Sequence, residues 1–327
     1  MRQYLDAVRH ILEHGTRKPN RTGVDTLSTF GVHYNIDLQE GFPLLTTKKI
    51  KWEHIVIEML WFLSGRTDIG ILKKHNFKFW DAWADPQTGE VPSAYGNFWR
   101  KFPVHSDEGP YSGGVYGDFN DQIAWLVNTL KRDPSSRRMV VSAWAPGNAQ
   151  TSALPPCHCM FAVNVQMVNN PYAGEPEIIQ EGSGTYLSRN RIVQLADLDK
   201  RLCLHLTQRS CDIALGVPYN IASYALLMHL LSRFSGIPVG TFSHLLVDAH
   251  AYTSKPDGSK AEHDHVPGLR EQLTREPRRL PTLRISDKIQ SLADVEALID
   301  CETEVVMKHF ELVGYDPHPA IPFKVAV

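Results

Sequence analysis

Residues 208–227 read QRSCDIALGVPYNIASYALL, and they join two different patterns. Upstream, LCLHLTQRS from Leu202 alternates apolar and polar residues as a half-buried strand does. Downstream, NIASYALLMHLLSRF is densely apolar and stops near Gly236, which reads as a long core helix ended by a glycine. A second core helix is predicted in WEHIVIEMLWFL, with an apolar stripe at Trp52, Ile55, Val56, Met59, Phe62 and Leu63. Further strands are predicted in MVVSAW, CMFAVNVQMV and FSHLLVDAHAY. The expected fold is α/β (α+β), a mixed sheet packed on long helices.

The chain of 327 residues shows no internal repeat and no low-complexity linker, and its 43% hydrophobic content is ample for one large core. A single domain over 1–327 is therefore expected. Two segments, about 169–201 and 253–268, read as peripheral surface loops. The acids and histidines of AEHDHVPG in the second fit a solvated polar loop better than a metal site. A formal charge of −2 gives no global basic field, so no dedicated nucleic-acid site and no membrane partner are expected. The N-terminal MRQYLDAVRHILEHG is amphipathic through Leu5, Val8, Ile11 and Leu12, unlike an export signal, and the apolar runs are too short to span a bilayer. The expectation is a cytoplasmic protein.

Five cysteines, at 157, 159, 203, 211 and 301, form an odd and sparse set, so reduced thiols are expected. Cys157 and Cys159 lack the second matched pair of a zinc site, and no metal is predicted. What sets Cys157 apart is SALPPCHCMFAV, where Pro155 and Pro156 fix φ and hold the thiol at a defined height before a strand. Taken alone, that is also how an inert buried cysteine at the start of a strand would look. A nucleophilic thiol needs nearby positive charge or hydrogen-bond donors, and Arg21, Arg137, Arg138 and Arg209 beside Ser210 are candidates. The same guanidinium forks and hydroxyl suit a phosphate.

The ordered set RTGVDT, FPLLTTKK, EMLWFLSG, FWDAWAD, AYGNFWR, DPSSRR, LPPCH, QRSCDIALGVPYNIASYALL, DAHAY and GYDPHP resembles the thymidylate synthase family from Tyr4 nearly to Val327. The resemblance implies reductive methylation of dUMP to dTMP, with 5,10-methylenetetrahydrofolate supplying the one-carbon unit and the hydride and leaving as dihydrofolate. It implies Cys157 as the nucleophile that adds at pyrimidine carbon 6, with Glu58, Tyr95, His158 and Asp212 forming a proton-relaying polar network. Glu58 lies among apolar helix residues, where a carboxylate must find partners or take up a proton.

The resemblance further implies that dUMP is held by Arg21, Gln208, Arg209 and Ser210, with Arg137 and Arg138 reaching in from the second subunit of a homodimer. Asn220 would meet the uracil edge, and His250 and Tyr252 the sugar. Read from the residues alone, Asn220 also fits an N-cap before IASYALL. The folate would lie on Phe79, Trp80, Trp83, Leu154, Asp212, Leu215, Gly216 and Tyr219, with Val327 closing over it and Lys48 and Lys49 near its glutamate tail. The bland reading of the aromatic residues is core packing.

The chain departs from the family pattern at Phe98, where Gln is common, at Ser254-Lys255, where Asn-His is common, and in the long connection between Val168 and Leu202. These departures keep open a dUMP hydroxymethylase of the same superfamily, in which water replaces the hydride. Cytosine-directed relatives tend to carry Asp at the base-reading position, so Asn220 argues for uracil. A cysteine hydrolase would also use Cys157 with a histidine, and an idle nucleotide binder would keep the arginines alone. Neither predicts the folate-side residues.

Overall fold

The structure is a computed structural model, and it describes residues 1–103, 119–149, 152–168, 178–181, 184–187 and 199–326. A seven-stranded mixed sheet runs in the order Thr16–Lys18, Thr26–Asp37, Val239–Tyr252, Lys200–Gln208, His158–Met167 and Val140–Ser142, with Cys211–Asp212 paired beside the Val239–Tyr252 strand. The pairing of Val239–Tyr252 with Lys200–Gln208 is parallel, and the flanking pairs are antiparallel. Alternation puts Leu202, Leu204, Leu206 and Gln208 of one strand, and Phe242, His244 and Leu246 of its neighbour, on the buried face.

That face is covered by the helices Trp52–Ser64 and Gly216–Ser235, which pack on each other. Both are apolar all round, because each lies inside the core instead of at its surface. Each ends on a glycine in the left-handed region, Gly65 at φ 69° and Gly236 at φ 75°, as a chain reversal after a helix requires. The longer helix starts at Gly216, so Asn220 sits inside it and is not its N-cap. The leading turn is closed instead by Asp212, whose Oδ1 accepts from the N–H groups of Ala214 at 2.9 Å and Leu215 at 3.2 Å. The amphipathic N-terminal helix spans Arg2–His14 and buries Tyr4, Leu5, Val8 and Ile11.

One strand goes beyond the sequence reading, and one expectation needs correction. The Thr26–Asp37 strand is legible only weakly in TLSTFGVHYNID, because Gly31 at φ 78° interrupts it and only Thr26, Tyr34 and Ile36 are buried. The 253–268 segment is not wholly a solvated loop. It makes a turn at Lys255–Gly258, then buries Ala261 and His265 and enters a helix over Val266–Leu273. Of the 169–201 connection, Ile178–Glu181 and Gly184–Leu187 form an antiparallel pair and Lys200 already begins a strand, while 169–177, 182–183 and 188–198 lie outside the described residues.

A short helix, Tyr95–Arg100, packs on Trp52–Ser64 at unusually close range. A Cβ at Gly96 would stand 2.4 Å from the Phe62 carbonyl oxygen, so only glycine lets the two backbones meet here. Phe62 in turn sits edge-on to Tyr95 and Trp99 at 5.1 and 5.5 Å. This contact places Tyr95 over the end of the sheet where Cys157 emerges.

Candidate active site

A cavity of about 620 Å³ opens at that end of the sheet, and it brings Cys157, His158, Gln208, Arg209, Ser210, Asp212, Asn220, His250 and Tyr252 together from four separate segments. Strand pairing sets the arrangement. His158 lies opposite Gln208, and the backbone N–H of Arg209 donates to the Cys157 carbonyl at 2.8 Å. Arg209 then turns its guanidinium onto the carbonyls of Pro156 at 3.0 Å and Pro155 at 2.6 Å. The two prolines therefore present acceptors with no competing N–H, and the arginine clamps the loop carrying the thiol. On the other side, the Tyr95 hydroxyl accepts from the N–H groups of Cys157 at 3.0 Å and His158 at 3.4 Å.

Burial pushes Cys157 above its usual range, and Arg209 only opposes that shift. His158 stacks on Tyr95 at 4.5 Å, and burial lowers its pKa to about 4 despite Asn220 beside it, so the imidazole is neutral at physiological pH. Glu58 faces the cavity from its helix and accepts from Trp80 Nε1 at 2.8 Å, yet burial still raises its pKa to about 7. A carboxyl poised there can give or take a proton near neutrality. Burial alone would raise Asp212, but His265 at 3.5 Å, His250 and the Leu215 N–H outweigh it and keep the carboxylate ionised. Burial alone would likewise lower His250, and Asp248 and Asp212 raise it instead.

The remaining residues divide by where they lie. Arg21, Glu58, Tyr95, Phe79, Trp80, Trp83, Leu154, Leu215 and Gly216 also line the cavity. Tyr219 lines an adjoining cavity of about 360 Å³ that shares Glu58, Phe79, Leu215, Gly216 and Asn220 with the first. Arg137, Arg138, Lys48 and Lys49 do not line the cavity of their own chain. Both arginines and Lys49 are exposed, whereas Lys48 is buried, donates to the Ala214 carbonyl, and lies 4.6 Å from the centre of the Phe323 ring. Val327 is outside the described residues, but Val325 and Ala326 before it reach the cavity. Phe98 is buried and absent from the lining.

A profile of the thymidylate synthase family matches residues 2–327, nearly the whole chain. The chain belongs to the thymidylate synthase family. Membership implies an enzyme of methyltransferase type, and the family binds dUMP and uses methylenetetrahydrofolate. Sequence reasoning missed several cavity residues of this family member: Lys18, Asn20, Thr22 and Asp248, together with His265 behind Asp212. Lys18 bonds Asp248 at 2.6 Å across the sheet, a pairing that no local motif announces. Among the described residues, no helix is long and apolar enough to cross a membrane, and no group of three or more His, Cys, Asp or Glu could hold a metal ion.

Glu58 yields a pH prediction. Its pKa is raised from 4.5 to about 7, so its contribution to stability is fully present below the unfolded value and is lost as pH rises through about 7. Glu58→Gln keeps an acceptor for Trp80 and cannot ionise. Relative to this variant, the wild type is expected to lose on the order of 3 kcal/mol between pH 5 and pH 8. Urea unfolding of both proteins at the two pH values measures it. Equal slopes would show that Glu58 does not titrate in that window.

Proposed function

We propose that this chain catalyses the reductive methylation of dUMP to dTMP, as a homodimer. The observation that carries the reading is that Cys157 shares one cavity with arginines suited to an anion and with aromatic side chains. Arg21, Arg209 and Ser210 line the same cavity as Glu58, Trp80 and Asn220, with the thiol among them. A nucleotide with its phosphate on the arginines would present its base to Asn220 and its carbon 6 to Cys157 Sγ. His250 and Tyr252 would meet the sugar. Addition of sulfur forms the S–C6 bond and moves the C5–C6 electron pair towards the O4 side, leaving carbon 5 nucleophilic. Because the thiol rests protonated, its proton must leave as the base binds, and the polar network of Glu58, His158 and Tyr95 is placed to manage it.

Methylenetetrahydrofolate supplies the one-carbon unit and the hydride. The wall of Phe79, Trp80 and Trp83, whose rings are tilted or edge-on to one another, is joined by Leu154, Leu215, Gly216 and Tyr219; it offers aromatic and apolar surface for a pterin, and a pterin seated there would shield carbon 5 from water. That shielding favours hydride transfer over hydroxymethylation. Dimer formation is supported by Phe30, which is 88% exposed on a sheet strand, and by exposed Arg137 and Arg138 with no role in their own cavity.

The test is tritium release from carbon 5 of labelled dUMP, with the product weighed by mass spectrometry. Folate-dependent release with dTMP formed is the expected result. Release with a hydroxymethyl product would reassign the reaction to the hydroxymethylases. No release would remove the covalent reading of Cys157 altogether.

A further inference from the structure

Two polar residues sit where the alternation of the central strands calls for leucine. His244 is 0% exposed and Gln208 3% exposed, both on the face buried under the helices. Groups of this kind cost stability unless every polar atom is engaged, and here they form one continuous chain. Tyr34, directly across the sheet from His244, bonds His244 Nδ1 at 2.9 Å. His244 Nε2 bonds Gln208 Oε1 at 3.0 Å. Gln208 Nε2 then donates at 3.0 Å to both the Ser210 carbonyl and Asn220 Oδ1.

One member of the chain has no freedom, and it fixes the rest. The Ser210 carbonyl can only accept, so the Gln208 amide nitrogen must point to it and the amide oxygen must face His244. His244 must then carry its proton on Nε2, and Tyr34 must donate to the bare Nδ1. Burial holds the His244 imidazole neutral, as this tautomer requires. At the other end, Asn220 accepts a hydrogen bond on Oδ1 and lines the cavity beside His158, which leaves Nδ2–H₂ as the donor side of its amide. A donor there complements a carbonyl at the 4-position of a pyrimidine and opposes an amino group.

We infer that Tyr34 and His244 are positioning residues that lock the Asn220 amide in the orientation selecting a 4-keto over a 4-amino pyrimidine nucleotide. The inference rests on the reading of Asn220 as the group that meets the base. Neither residue lines the cavity, so both act through Gln208.

The experiment compares wild type with Tyr34→Phe, His244→Phe and His244→Gln. It reads the ratio of dissociation constants for dCMP and dUMP by calorimetry, and the His244 tautomer by NMR on ¹⁵N-histidine-labelled protein. Wild type is expected to prefer dUMP and to show the Nε2–H tautomer. His244→Phe is expected to lower the dCMP:dUMP ratio about tenfold, because Gln208 loses its anchor, and Tyr34→Phe about threefold with a mixed tautomer. His244→Gln, which restores an amide donor, is expected to recover most of the preference. Should His244→Phe not fold, Tyr34→Phe decides alone, since it deletes one hydroxyl. Folded variants that bind both nucleotides more weakly at an unchanged ratio would overturn the inference and leave a structural role. A wild type with no preference for dUMP would instead overturn the base-reading assignment itself.

Discussion

Cys157→Ser is expected to abolish turnover, by at least about a thousandfold, while leaving the fold and dUMP binding nearly intact. The serine hydroxyl is close in size to the thiol, so the contacts that build the loop survive. The bonds from Arg209 run to the carbonyls of Pro155 and Pro156, and the Tyr95 hydroxyl takes the backbone N–H at 157, none of which involves sulfur. Only the nucleophile is lost. Stopped-flow or single-turnover kinetics with labelled dUMP, beside a binding isotherm, separates the two effects. Turnover comparable to wild type would sink the covalent mechanism.

The second large effect is a recovery. Arg137→Ala with Arg138→Ala is expected to inactivate the enzyme, although neither residue lines the cavity of its own chain. If the pair serves the neighbouring subunit, mixing this inactive protein with inactive Cys157→Ser protein restores activity. A hybrid dimer then contains one site with an intact thiol and intact arginines, and one with neither. Random exchange makes half the dimers hybrid, so about a quarter of wild-type activity is expected at equal mixing. Recovery is followed by dTMP formation after denaturation and refolding of the mixture. Confirmed exchange with no activity would place the arginines in their own chain.

The sequence carried the elements whose patterns are local. The helices Trp52–Ser64 and Gly216–Ser235 were legible because a run of apolar residues ended by glycine needs no distant partner to declare itself. Cys157, Arg209 and Asn220 stood in short motifs, and the fold does bring them to one cavity. What escaped were features set by strand register and by the balance of burial against charge. Tyr34 and His244 meet only because Thr26–Asp37 and Val239–Tyr252 align them, and the former strand is itself poorly patterned. His265 reads as part of a polar loop until the Val266–Leu273 helix carries it under Asp212. The arginines near Cys157 in the sequence did not disclose that desolvation of the thiol outweighs the pull of Arg209.

Gly96 has a bearing on any effort to make this protein more heat-resistant. Exchanging helical glycines for alanine is a standard step in such work, since it stiffens the unfolded chain and commonly adds about 0.4–1 kcal/mol. At Gly96 the added methyl has no room beneath Phe62, and the helix bearing Tyr95 would have to lift. The hydroxyl that holds the N–H of Cys157 would lift with it. A library scored for survival on heating and one scored for thymidylate production should therefore reject this position together, which makes it a poor place to look for a trade between robustness and speed.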